Sequence, residues 1–206
     1  IRDKEWVPRL LAPAAAWAAA RALRRAERFG TITLAEPGYR HLFRREHPVF
    51  PNYPAAGSLP PPAPDAGFLV YVGDVTVERG ALDMVEAAGL LRGKRPLRVI
   101  GRSSDDLAER LRHRAAELGV GLQLLGPLPH RQAMEAAAGA SAGLALLHDL
   151  PNYRDSLPTK VIEYLAMGLP VVAADLPGTR AGTAGWEAVA LVPPGAPSAA
   201  AAALER

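Results

Sequence analysis

At 206 residues the chain has room for one large or two modest domains, and its 49% hydrophobic and 22% charged content is that of a globular protein. It contains no cysteine, which excludes disulfides and thiolate metal sites and suits a reducing compartment. A net charge of +3 leaves anionic ligands and lipid surfaces open but is too small to argue for nucleic acid as a partner.

The chain opens at Ile1 without an initiator methionine or signal peptide and closes at Arg206 inside an alanine-rich helix, so a fragment of a longer protein is expected. The longest uncharged early run, Leu10 to Ala20, is shorter than the ~20 residues that span a bilayer. Residues 8–29 favour a helix on which Arg21, Arg24, Arg25 and Arg28 fall at i, i+3, i+4 and i+7. This stripe lacks bulky apolar neighbours, so it reads first as a solvated face and second as attraction to anionic lipid headgroups. Residues 31–35 predict a short strand and residues 39–46 a second helix. Residues 54–67 hold five prolines in fourteen positions, the composition of a semi-rigid linker at a domain boundary.

From Phe68 onward, strands and helices alternate. Strands are expected at 68–72, 97–100, 122–125, 142–148, 171–174 and 188–192, and helices at 81–91, 105–118 and 130–138. Such alternation predicts a parallel sheet covered on both faces, with ligands bound at the carboxyl ends of its strands. Gly73, Gly101 and Gly126 stand at three of those ends, where backbone can approach a ligand closely.

The richest stretch runs from Asp155 to Asp175 and reads as loop, helix, stop, strand. Pro158 suits the first turn of a helix, and Val161, Ile162, Leu165 and Ala166 can form its buried stripe. Gly168 is the natural stop, and Pro170 leads into a Val-Val-Ala-Ala strand. A helix start behind a polar loop presents free N–H groups and a partial positive charge, which suits phosphate. Asp155 and Glu163, with seven residues between them, bracket that start. Carboxylates beside a phosphate site make sense when they accept hydrogen bonds from hydroxyls of the same ligand.

This stretch resembles the donor-site motif of glycosyltransferase family 4, the retaining nucleotide-sugar enzymes of the GT-B fold. The resemblance implies an α/β architecture, a Rossmann-like parallel sheet with helices on both faces. It implies a donor-binding domain at 68–206, truncated at its C-terminus, behind the linker at 54–67 and a remnant of the acceptor-side N-terminal domain at 1–53. The implied reaction moves a sugar from a UDP- or GDP-sugar to a hydroxyl acceptor (glycan, lipid or small molecule) with retention. No cofactor and no obligatory metal are implied, and no nucleic acid partner. A cytoplasmic protein is expected, with contact at the inner membrane face left open by the arginine stripe.

By the same resemblance, Asp155 and Glu163 are the catalytic pair, orienting the transferred sugar and the ribose. Gly73, Arg79, Thr159 and Lys160 hold the diphosphate, and Gly101, Arg102, Pro127, Leu128 and Glu163 line the nucleotide. Lys160 can instead pair with Glu163 across one helical turn. Asp155 stands where the family more often has Glu. Asp74 takes the place of a cation, so it must turn away from a diphosphate or pair with a cation such as Arg102. Two alternatives stay open: nucleotide-sugar epimerisation on the same fold, and a GT-B-like module that binds without catalysing.

Overall fold

The computed structural model describes residues 11–55, 57–93 and 95–206. It divides into two compact units, Ile1–Asn52 and Tyr53–Arg206.

In the first unit, helix α1 (Ala12–Ala26) carries Pro13 in its first turn, where a missing N–H costs nothing. The expected residues 8–10 of this helix lie outside the described residues. The expected strand at 31–35 is reduced to one isolated bridge between Leu34 and Val49. Leu34 takes the Pro48 carbonyl and gives its own carbonyl to Phe50, but Pro48 has no N–H with which to extend a ladder. The expected helix at 39–46 is instead a short 3-10 helix, Pro37–Leu42. It ends because Phe43 is extended and the next two N–H groups, of Arg44 and Arg45, turn to the Glu27 carboxylate at 2.9 and 3.0 Å. His47 Nε2 meets the same oxygen at 3.1 Å. The Arg45 N–H, with His47 and the Arg44 N–H behind it, holds the Glu27 carboxyl below its usual range.

The second unit is a six-stranded parallel sheet with helices on both faces, as the alternation predicts. Its elements in chain order are β1 (Leu69–Val72), α2 (Ala81–Leu90), β2 (Leu97–Ile100), α3 (Asp105–Leu118), β3 (Leu122–Gly126), α4 (His130–Ala137) and β4 (Ala142–Ala145). Then come α5 (Pro151–Arg154), α6 (Thr159–Ala166), β5 (Val171–Ala174), α7 (Pro177–Gly182), β6 (Val189–Val192) and α8 (Pro197–Leu204). The strand order is β3-β2-β1-β4-β5-β6, so the order reverses direction between β1 and β4. Residues alternate between the faces: Leu69, Tyr71, Leu97 and Leu144 join α2, α3 and α8 in one core, and Val70, Ile100, Ala145 and Ala173 join α4 and α6 in the other.

The proline-rich stretch lies within the second unit. Asp65 accepts the Ser141 hydroxyl at 2.6 Å, Ala66 donates to the Gly139 carbonyl, and Leu59 packs against the α4–α6 core.

The buried stripe of α6 departs from expectation. Lys160, Val161 and Tyr164 are its buried residues, while Ile162 and Leu165 are half-buried and Ala166 is exposed. The cause is Tyr164, whose ring occupies the space that a side chain at Gly143 of β4 would fill. Its hydroxyl accepts the Val72 N–H at 2.8 Å. That N–H lies beyond the short β1–β4 pairing, which joins only Leu69 to Ala142 and Val70 to Gly143. Tyr164 therefore replaces the ladder where the two central strands part.

Two substitutions test this plug by urea unfolding. Gly143→Val forces a side chain into the Tyr164 ring and is expected to destabilise by at least about 2 kcal/mol. Tyr164→Phe strands the Val72 N–H and is expected to cost about 1–3 kcal/mol. A neutral result for both would show that the ring and hydroxyl do not hold the strands.

Candidate functional site

The parting of β1 and β4 opens a crevice at the carboxyl ends of the strands, the place where open α/β sheets bind ligands. Three strand-end loops meet there. Gly101 N–H donates to the Gly126 carbonyl, and Val75 N–H to the Arg102 carbonyl. Gly101 has φ +153°, and a Cβ on it would run into the Gly73 carbonyl, so glycine is required where these loops touch.

Helix α6 points its start into the same region. Pro158 precedes it, no side chain caps it, and of its first turn Val161 donates back to Pro158. Thr159 and Lys160 open the helix, where backbone N–H groups have no intrahelical acceptor. The Lys160 side chain is buried, and its Nζ has no hydrogen-bond partner among the described residues. It sits 3.9 Å from the centre of the Tyr71 ring. A Cβ placed on Gly73 would lie 3.0 Å from Nζ, so the amine lies directly against the β1 loop. Burial, with the positive charge of Arg79 behind it, pushes the Lys160 amine down to about 7. Tyr71 is pushed up to about 12, chiefly by burial, and donates its hydroxyl to the Asp74 carbonyl at 2.7 Å.

Arg79 is half-buried beside this amine, its guanidinium carbon 5.9 Å from the centre of the Tyr153 ring of α5. Asp74 is exposed and pairs loosely with Arg79, Oδ2 to Nη2 at 3.9 Å, rather than with Arg102. Arg102 is exposed and meets the β1 loop through its carbonyl.

Glu163 does not pair with Lys160. Its Oε1 lies 2.8 Å from His130 Nε2 at the start of α4, and the carboxylate is mostly buried. The helical-turn pair fails because the two side chains leave α6 on different sides, Lys160 into the core and Glu163 toward the β3 loop. That loop places Pro127 exposed and Leu128 half-buried against the α4–α6 core. Asp155 is exposed at the end of α5, its backbone pressed against Gly178 of α7. Among the described residues, no hydrogen bond or ion pair joins its carboxylate to the other candidate residues.

The structure thus gathers Gly73, Arg79 and Lys160 with the α6 start, joins Gly101 and Arg102 to that loop, and sets Glu163 against the β3 loop. Tyr71 and Tyr153 belong to the same surroundings and escaped the sequence reading, because aromatic rings carry no spacing signal. His148 lies three residues past the end of β4: its backbone N–H donates to the carbonyl of Glu78, the neighbour of Arg79, and its Nε2 lies 2.6 Å from Asp83 Oδ2. Among the described residues, no three His, Cys, Asp or Glu side chains converge as a metal-binding group. No described helix is long and apolar enough to cross a membrane.

The family model described as "Glycosyl transferases group 1" matches residues 66–206. No curated protein matches the chain in sequence. Among solved structures, it is similar to Alr3699/HepE of Anabaena in complex with UDP, at 13% identity and TM-score 0.69, with 85% of this chain and 53% of that one covered. Sucrose-phosphate synthase of Thermosynechococcus elongatus is similar at 19% identity and TM-score 0.68, with 85% and 48% covered. AviGT4, a glycosyltransferase involved in avilamycin A biosynthesis, is similar at 21% and 0.68, with 84% and 53% covered. Likeness at these identities is a likeness of fold, and the chain spans about half the length of these structures.

The buried amine yields a pH test with a definite sign. Its folded pKa of about 7 lies below the ordinary 10.5, so between those values the unfolded chain binds the extra proton and stability rises with pH. Lys160→Met removes this dependence. The variant is expected to be more stable than wild type below about pH 7, by on the order of 5 kcal/mol, with the gap closing toward about pH 10. Urea unfolding across that range checks it, and a gap that does not change with pH would contradict the assignment.

Proposed function

The chain belongs to the group 1 glycosyl transferases, and from that premise we propose that it is the donor-binding half of a retaining, family 4-type enzyme. Its substrate class is a nucleoside diphosphate sugar, and the sugar passes to a hydroxyl acceptor, in the cytoplasm. The observation that carries the reading is the partnerless, buried Lys160 amine against the Gly73 loop, beside Arg79 and the open start of α6. A buried cation without a partner is costly, and an anion arriving at that point supplies the partner.

The chemical demand in such a transfer is the charge that grows on the departing diphosphate. Arg79 takes phosphoryl oxygens through its planar fork. The N–H groups of Thr159 and Lys160 and the Lys160 amine meet the same charge from the α6 side. These cations do the work without an obligatory metal or cofactor. Glu163 accepts from the ribose hydroxyls, exchanging its His130 contact for them, while Gly101, Arg102, Pro127 and Leu128 line the nucleoside. Asp155 orients the transferred sugar. Retention rests on the likeness of the Asp155–Glu163 motif. UDP is the first nucleotide to test, since Alr3699/HepE is described in complex with UDP and with UDP-glucose.

A second reading, a module that binds without catalysing, draws on Asp74. Its carboxylate stands 3.9 Å from Arg79 and competes with a diphosphate for that guanidinium.

Calorimetric titration with UDP and GDP tests both readings. One of the two is expected to bind, and Glu163→Ala and Lys160→Met are each expected to weaken it by about tenfold or more. Asp74→Asn frees Arg79 and is expected to tighten binding by about two- to fivefold, the worth of an exposed pair. Silence for both nucleotides in folded protein, or binding indifferent to Glu163 and Lys160, overturns the site. Tightening far beyond fivefold in Asp74→Asn would favour the non-catalytic reading.

A further inference from the structure

The first unit holds a concentration of positive charge that the donor crevice does not use. Arg21, Arg24 and Arg25 of α1 and Arg28, just past its end, line one cavity of about 220 Å³, and Arg44, from the turn after the 3-10 helix, joins them from a separate segment. Trp17 stands at its edge, 67% exposed, with the Arg21 guanidinium carbon 5.8 Å from the ring centre. The stripe therefore has an aromatic neighbour on its own face, one turn before Arg21.

Like charges held this closely repel, and Glu27, at the end of α1, does not relieve them. The buried Glu27 carboxylate is spent on the Arg44 and Arg45 N–H groups and on His47. Among the described residues, no ion pair joins Arg21, Arg24, Arg25, Arg28 or Arg44 to a carboxylate. That same Glu27 bond brings the Arg44 backbone to the end of α1, so a buried acid positions the fifth arginine instead of neutralising it. Guanidinium groups converging from two segments suit phosphoryl oxygens, which accept from such forks in pairs. An exposed indole beside them offers a flat surface to the ring or chain that carries the phosphate.

We propose that this arginine-lined cavity is a binding site for a phosphate-bearing ligand, distinct from the donor crevice and independent of the donor assignment. The phosphoryl group lies among Arg21, Arg24, Arg28 and Arg44, and the group attached to it lies on Trp17. A phosphorylated small molecule and a phospholipid headgroup share this chemistry.

The test uses the whole chain with Trp17 as its one tryptophan (W6F/W186F) and with Arg79→Gln to silence the donor crevice. Trp17 fluorescence is followed during titration with pyrophosphate. In parallel, the protein is sedimented with vesicles of phosphatidylcholine, alone or mixed with phosphatidylglycerol. Binding to pyrophosphate but not to vesicles identifies a free phosphorylated ligand. Sedimentation only with phosphatidylglycerol vesicles identifies a lipid headgroup. In either case R21Q/R24Q/R28Q is expected to weaken the interaction by about tenfold or more, and R44Q, outside the helix, by at least about threefold. Glutamine keeps good helix propensity, and far-UV circular dichroism checks that α1 persists. If neither probe engages the wild-type cluster, or if both arginine variants bind as tightly as wild type, the proposal is overturned.

Discussion

Everything in the second unit follows from how briefly β1 and β4 run together. Their pairing covers two residues, after which β4 turns away and the Val72 N–H is left facing the gap. A buried N–H without an acceptor is expensive. The Tyr164 hydroxyl supplies that acceptor, and Gly143 supplies the room for its ring. Fixing Tyr164 fixes the rotation of α6 about its axis. That rotation turns Lys160 inward beneath the Gly73 loop and Glu163 outward to His130. One side-chain-to-backbone bond thus sets the geometry of both halves of the candidate donor site.

The same arrangement carries a cost. Lys160 has lost its water and gained the face of Tyr71, worth about 2 kcal/mol or more for a desolvated cation, while the attraction of Glu163 and that of Asp74 are each smaller than the repulsion of Arg79. A fold under selection for stability alone would place an apolar residue there. Retaining an amine at that point is reasonable if the site spends most of its working life with an anion in it. The exposed Asp74 then acts as a weak placeholder for Arg79 rather than as a ligand-binding group.

Much of this was legible in the residues. Alternating apolar runs and strand-end glycines foretold the parallel sheet, and Pro158, Gly168 and Pro170 marked the start and stop of α6. Three strand-end loops and the start of α6 do lie together at one sheet edge. The buried stripe of α6 was not legible, because Tyr164 and Lys160 are polar-tipped residues whose burial depends on Gly143 and Gly73, far off in sequence. Lys160 and Glu163 sit at a spacing that favours pairing, and only the helix rotation separates them. In the first unit, β-branched Thr31, Ile32 and Thr33 suggested a strand, but Pro48 limits their neighbour to a single bridge. The helix expected at 39–46 fails for a reason local sequence cannot carry, since Glu27 captures the N–H groups of Arg44 and Arg45 from outside.

The most direct test is the ionisation of Lys160 itself, followed by carbon-13 NMR of its ε-methylene with and without bound UDP. The account predicts a midpoint near 7 in the free protein, moving up by at least about one unit when the diphosphate supplies a partner. A midpoint at the ordinary lysine value, near 10.4, or one that bound UDP leaves in place, would contradict a buried amine kept for an anion.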